Sequence, residues 1–196
     1  VRGPAGLRTD LPMWRMVLGL AIWPLLEQLA VASVWFVDSA LAGHLPPGEV
    51  KPASDAVGGA LYMMWLMGLL QGAAGVGATA LVARAVGGAR WHEARHALGQ
   101  SMMVALVWGI ANGVMFWFMA PWVSVWFGMQ DPVSQVLCTQ YMRILAVAAP
   151  LRALMFIGAA CLRGAGDTRS PFFVMLAVNV VNIIASVMLV AEFSPW

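Results

Sequence analysis

Asp38 and Glu27 are two carboxylates in a long apolar stretch near the start of the chain, and they are the residues best placed to do chemistry. They are eleven residues apart. On a helix this spacing puts them within about 20° of one face and about 16 Å apart along the axis. A carboxylate inside a membrane costs about 2.5–3.5 kcal/mol, so it usually faces a cavity or a partner. Asp38 therefore indicates an ion or proton pathway, with Glu27 as a candidate cavity-lining residue.

The composition predicts the element that holds these acids. Hydrophobic residues make up 61% of the 196 residues and charged residues only 10%, whereas soluble domains have about 25% charged residues. We therefore expect an all-α integral membrane protein, a bundle of about five transmembrane helices, because a lone spanning segment must satisfy its own backbone hydrogen bonds. The spans are predicted at residues 12–43, 56–83, 97–121, 134–162 and 171–191.

The segments between the spans predict the orientation. Residues 44–53 contain three prolines and are expected to be neither helix nor strand, whereas 84–96 and 163–170 are expected to be basic turns. The third span is expected to bend at Pro121 into an interfacial segment. One side collects the following arginines: Arg2, Arg8, Arg15, Arg84, Arg90, Arg95, Arg163 and Arg169. Basic loops stay cytoplasmic, so we expect a multi-pass protein of the inner (plasma) membrane with its N-terminus inside.

Pro24 and a stripe of polar residues in the fifth span are further candidates. Pro24 lies one turn before Gln28 inside the first span, where it would remove a backbone hydrogen bond and could act as a hinge. Asn179, Asn182 and Ser186 follow a helical spacing and form one polar face. Such groups hold helices together or line a cavity. Asn179, Ser186, Gln28 and Glu27 are therefore predicted as cavity-lining residues.

Arg152 and a set of glycines raise packing questions. Arg152 lies near the middle of the fourth span, where a guanidinium needs a partner, and Glu27 is the nearest membrane carboxylate in predicted depth. A later start of that span would instead place Arg152 at a shallower level. Four glycines are predicted to give the second span a face for close helix packing: Gly68, Gly72, Gly75 and Gly77.

Ordered stretches of the chain resemble a known family. WPLLEQLAVASVWFVDSALAGHL (23–45) resembles the first helix of the multidrug and toxic compound extrusion (MATE) transporters, and GVGATALVARAVGGARWHEAR (75–95) resembles their second helix and basic loop. QYMRILAVAAPLRALMFIGAACLRGAGDTRSP (140–171) and VNVVNIIASVMLV (178–190) resemble the fourth and fifth helices. The set looks closest to the DinF-like branch.

The resemblance implies a fold of twelve helices in two six-helix lobes, of which residues 1–196 would form most of the N-terminal one. A chain that starts at Val1 and stops after a fifth span is then expected to be a fragment, with the C-terminal lobe as its partner. The family exports organic cations and other amphipathic compounds by alternating access, in exchange for H⁺ or Na⁺. Carried over, Asp38 is the coupling acid, Asn182 its supporting ligand and Pro24 the site of helix bending.

Ser186 departs from the family pattern, because some members of the branch carry an Asp at that position. One carboxylate fewer should weaken a sodium site at Asp38 and Asn182 and favour proton coupling. No resident metal, cofactor or nucleic-acid partner is expected. A flippase of lipid-linked saccharides is an alternative, although Arg152 is the one candidate for the basic cavity it would need. A membrane-embedded enzyme is disfavoured, since carboxylates about 16 Å apart cannot bind one metal ion and no histidine lies within a span.

Overall fold

A computed structural model of the protein describes residues 12–43, 45, 48 and 50–193, with side chains described as far as residue 189. These residues form five helices and no strand. The helices are α1 (Met13–Gly43), α2 (Val50–Gly87), α3 (Trp91–Trp126), α4 (Pro132–Gly164) and α5 (Arg169–Phe193). Each of the five is long and apolar enough to cross a membrane. The predicted all-α membrane fold is confirmed.

Two predicted loops are shorter than expected. α2 begins at Val50, so the expectation that residues 44–53 are not helical is wrong for 50–53. Pro52 lies in the first turn, where its missing N–H has no intrahelical partner to lose. The basic segment 84–96 is helical apart from a turn at 88–90, because arginines continue a helix readily. Arg2, Arg8, His44, Pro46 and Pro47 lie outside the described residues.

α3 also runs further than predicted, and continues through Pro121 to Trp126 as one helix. Residues 127–131 connect α3 to α4, which starts at Pro132. The carboxylate of Asp131 accepts a hydrogen bond from the backbone N–H of Val133 and so caps α4. At the same end of the bundle, the Ser134 hydroxyl lies 3.2 Å from a carboxylate oxygen of Asp131 and from one of Asp55.

The core lies between α2, α3 and α4, and the closest approach is between α3 and α4. A Cβ atom on Gly109 would lie 2.6 Å from the Cα of Pro150, and one on Gly113 would lie 2.5 Å from the carbonyl oxygen of Ala146. This pair, spaced as G-x-x-x-G, lets the two backbones meet.

The glycine face predicted on α2 is wrong in three of its four positions. An added Cβ would meet nothing within 4 Å at Gly68, Gly72 or Gly77, whereas at Gly75 it would lie 3.0 Å from the Phe156 ring. Small residues mark a packing face only if a neighbouring helix covers that face, and most of this one is uncovered.

α1 and α5 form a pair that packs chiefly against itself. The Trp23 ring lies 5.4 Å from that of Phe172 near the start of α5, and Asp38 contacts Ser186 about 22 Å further along both helices. The two helices are therefore parallel and in register. In contrast, no Cα atom of α1 comes within 8 Å of one in α4 among the described residues. A groove separates these two helices.

Candidate functional site

Asp38 lies in α1 at the contact with α5, and its side chain is half-buried. The Ser186 hydroxyl donates a long hydrogen bond of 3.5 Å to Oδ1 of Asp38. Asp38, near the C-terminal end of α1, thus contacts a neutral hydrogen-bond donor on α5. The second carboxylate oxygen has no hydrogen-bond donor among the described residues, so the carboxyl group can take up a proton or a cation from the groove.

Tyr141 is a member of this site that the sequence reading missed. It is half-buried on α4 and lies within electrostatic range of the Asp38 carboxylate. The signal was present in the sequence, because a tyrosine in a membrane helix needs a partner for its hydroxyl. Asp38 is therefore surrounded by groups from α4 and α5 as well as by its own helix.

Glu27 forms an ion pair with Arg163 at 3.0 Å. Nη1 of Arg163 donates to both carboxylate oxygens. The expected pairing of Glu27 with Arg152 is therefore wrong. Arg163 belongs to the last turn of α4 rather than to a loop, and helical side chains lean towards the N-terminus of their helix. Its long side chain consequently reaches back along α4 to the level of Glu27.

Arg152 has a different partner. Its Nη2 donates to the backbone carbonyl oxygen of Met64 on α2 at 3.2 Å. The described residues offer Arg152 no carboxylate within ion-pair distance. The side chain is only partly buried, so the guanidinium retains N–H donors that no protein group satisfies in this part of the chain.

The charged residues of α1 and α4 face each other across the groove. Tyr141, Arg152 and Arg163 are spaced eleven residues apart on α4, as Glu27 and Asp38 are on α1. Each set therefore lies close to one face of its helix. Arg163 contacts Glu27, and Tyr141 lies within electrostatic range of Asp38. The two faces are therefore turned towards each other. We call the space between these five residues the polar groove.

The remaining predicted site residues are spread around the polar groove. Asn182 is exposed, and the structure brings Ser186 rather than Asn182 to Asp38. Asn179 is buried, and its Nδ2 has no hydrogen-bond partner in the described part of the chain. Gln28 is exposed, and Pro24 lies half-buried within an α1 that continues on both sides of it. The roles of all four stay predictions.

The described part of the chain contains no cluster of three His, Cys, Asp or Glu residues that could hold a resident metal ion. A sodium ion transported through Asp38 would have to take its other oxygens from neutral groups, of which the Ser186 hydroxyl is the nearest. A proton needs only the carboxylate itself.

Comparison with known proteins gives the family. The chain is 25% identical over 146 residues to a protein of Thermotoga maritima named "Probable multidrug resistance protein NorM". The match covers 74% of this chain and 30% of that relative, so the chain spans about a third of the relative's length. No solved structure matches. The model of the MatE family matches residues 25–188, most of the chain. The chain therefore belongs to the MatE family, the multidrug and toxic compound extrusion family that its sequence resembles.

Proposed function

We propose that this chain forms most of the N-terminal lobe of a secondary antiporter that exports amphipathic or cationic compounds in exchange for a coupling ion. Family membership and the name of the Thermotoga maritima relative support an export function. The observation that carries the assignment of the site is the half-buried Asp38 carboxylate, which faces a groove and contacts Ser186. A carboxylate at such a position is typical of an ion or proton pathway.

Protons are the coupling ion that the surroundings of Asp38 favour. The Ser186 hydroxyl, a neutral donor, lies 3.5 Å from Asp38, and Tyr141 lies within electrostatic range of its carboxylate. Neither adds a negative charge that would help to hold Na⁺. The proton hypothesis therefore requires one group, whereas the sodium hypothesis requires several oxygens from neutral residues.

Pro24 is proposed as the hinge of α1. It removes the hydrogen bond that a backbone N–H would donate to the carbonyl oxygen of Leu20. The neighbouring Trp23 stacks on Phe172 and lies under the guanidinium of Arg169. α1 is thus held by side-chain contacts on both sides of Pro24, at Trp23 and at Glu27.

The orientation follows from the arginine-rich end, at which α1 and α5 start and α4 ends. Arg15, Arg163 and Arg169 all lie there. Because basic segments stay cytoplasmic, we propose an inner (plasma) membrane location with this end inside.

The test is transport by the complete gene product in proteoliposomes. Efflux of an organic-cation dye is measured under an imposed proton gradient and then under a sodium gradient. We expect efflux with protons, loss of efflux in Asp38→Asn, and normal membrane insertion of that variant. Asp55→Asn, which changes an acid on α2 that accepts a hydrogen bond from the Ser134 hydroxyl, is the matched control. Export by Asp38→Asn at the parental rate would refute the site, and no export by the parent under either gradient would refute the antiporter.

A further inference from the structure

Arg152 is a cation near the middle of a membrane helix that lacks a carboxylate partner in the described part of the chain. Its one hydrogen bond goes to the backbone carbonyl oxygen of Met64, whereas a guanidinium has five N–H donors. Charged groups at this depth are costly and mark substrate or ion pathways. The remaining donors of Arg152 are therefore available to an acceptor that arrives from the groove.

The acids that could neutralise Arg152 are engaged elsewhere. Glu27 is held by Arg163 at 3.0 Å. Asp38 contacts Ser186 on α5. Asp55 lies with the Ser134 hydroxyl at the opposite end of α4 from Arg163. The polar groove thus contains a positive group at Arg152 and a negative group at Asp38, and the two are not paired with each other.

Gln71 adds hydrogen-bonding capacity at the same level. It is fully buried in α2, and neither its Oε1 nor its Nε2 has a hydrogen-bond partner among the residues that the structure describes. It lies two turns from Met64 on the same face of α2, and the contact of Gly75 with Phe156 places it level with Arg152. Buried amides are normally satisfied. A polar group without a protein partner among the described residues therefore lies close to the level of Arg152.

We infer that Arg152 is a specificity-determining residue that binds the anionic group, a carboxylate or sulfonate, of the transported compound. This inference rests on the proposed export function. Arg152 on α4 and Asp38 on α1 each lie eleven residues from the contact between Arg163 and Glu27, so they lie at a similar depth on opposite sides of the groove. The groove therefore suits an amphiphile that carries both an anionic and a cationic group.

The test compares two dyes that differ only in the anionic group: rhodamine B, which carries a carboxylate, and its ethyl ester. Binding to the complete gene product in phosphatidylcholine nanodiscs is followed by fluorescence anisotropy. We expect the parent to bind the acid more tightly than the ester. Arg152→Gln should weaken binding of the acid about tenfold, and leave binding of the ester unchanged. Arg152→Lys should retain much of the preference, since it keeps the charge.

Arg143→Gln is the matched control, because Arg143 is on the same helix but its guanidinium lies over the Trp117 ring, 5.2 Å from the ring centre. The inference is overturned if the parent does not distinguish the two dyes, a result that needs no variant to fold. It is also overturned if Arg152→Gln weakens both dyes equally, as a purely structural role would. Loss of the preference in nanodiscs containing phosphatidylglycerol would assign the site to a lipid headgroup instead.

These outcomes are separate from failure of the proposed function. Binding is measured without a gradient, so a parent that binds the acid preferentially but exports neither dye would refute the antiporter and keep the Arg152 site. Export of both dyes with no preference for the acid would support the antiporter and refute the Arg152 site.

Discussion

Arg163 donates from one nitrogen, Nη1, to both carboxylate oxygens of Glu27, at 3.2 and 3.0 Å. The bond joins the last turn of α4 to α1, just after Pro24, across a groove where the two backbones do not come together. Both side chains are mostly covered, with 15% of Glu27 and 26% of Arg163 exposed. This ion pair is therefore the main direct link between α1 and α4 among the described residues.

Glu27→Gln should destabilise the protein by about 1–3 kcal/mol, because it leaves a mostly covered guanidinium without its counter-charge. The measurement is thermal unfolding of the purified protein in detergent. Arg163→Gln should have a similar effect, and the double variant should lose much less than the sum, since the two residues share one interaction.

Arg90→Gln provides the control for the loss of an arginine charge. Arg90 pairs with Glu93 at 3.0 Å, but both side chains are more than half exposed. Exposed pairs contribute about 0–1 kcal/mol, so this variant should unfold close to the parent. Equal losses for Arg90→Gln and Glu27→Gln would contradict the linking role of the Glu27–Arg163 pair.

Gly109→Ala and Gly113→Ala should each destabilise the protein. The new methyl carbon would lie 2.6 Å from the Cα of Pro150 in the first variant and 2.5 Å from the carbonyl oxygen of Ala146 in the second. Forcing a methyl into such a packed site costs about 1–3 kcal/mol or more. Gly72→Ala is the matched control on another helix, since nothing lies within 4 Å of its added Cβ. Thermal unfolding in detergent checks all three, and a Gly72→Ala protein as unstable as Gly109→Ala would contradict the packing described.

The helices and the family could be predicted from the sequence, since long apolar segments in a membrane have few alternatives to helix. The resemblance pairs Asp38 with Asn182 of the fifth helix, whereas the structure gives Ser186 on that helix as its contact, and the role of Asp38 stays a prediction. What could not be predicted was which helix faces cover one another. A glycine face on α2 and one on α3 look alike in sequence, and only the packing of α4 against Gly109 and Gly113 distinguishes them.

The sequence alone also could not show which residues pair with the charged side chains. Glu27 was assigned to Arg152 from predicted depth, but an arginine side chain reaches more than one helical turn, so depth in the sequence does not fix the position of its charge. The Arg163 side chain extends from the end of α4 into the groove, and Arg152 turns to the Met64 carbonyl. Assigning such pairs requires the angle at which each helix faces its neighbours.

The turn between α4 and α5 should make stability depend on pH through Asp167. Its carboxylate accepts hydrogen bonds from the backbone N–H groups of Arg169 and Ser170 and from the Ser170 hydroxyl. These bonds, the Ser170 hydroxyl first, lower the pKa of Asp167. A carboxyl group whose pKa is lowered by folding stabilises the protein above its unfolded pKa, near 3.9, and loses that contribution as the pH falls through the folded value.

Asp167→Ala should therefore lower stability by about 1 kcal/mol at about pH 7, the usual loss for a helix cap. The difference from the parent should shrink as the pH falls from about 5 through the lowered pKa of the folded Asp167 carboxyl, because the parent carboxylate then becomes protonated and loses its charge. Amide hydrogen exchange at Arg169 and Ser170 measures the effect at the cap itself. Asp167→Asn keeps an oxygen acceptor without the charge. Its stability should lie between those of the parent and Asp167→Ala and should depend little on pH. An Asp167→Ala defect that stays constant over this range would show that the charge of Asp167 does not stabilise the start of α5.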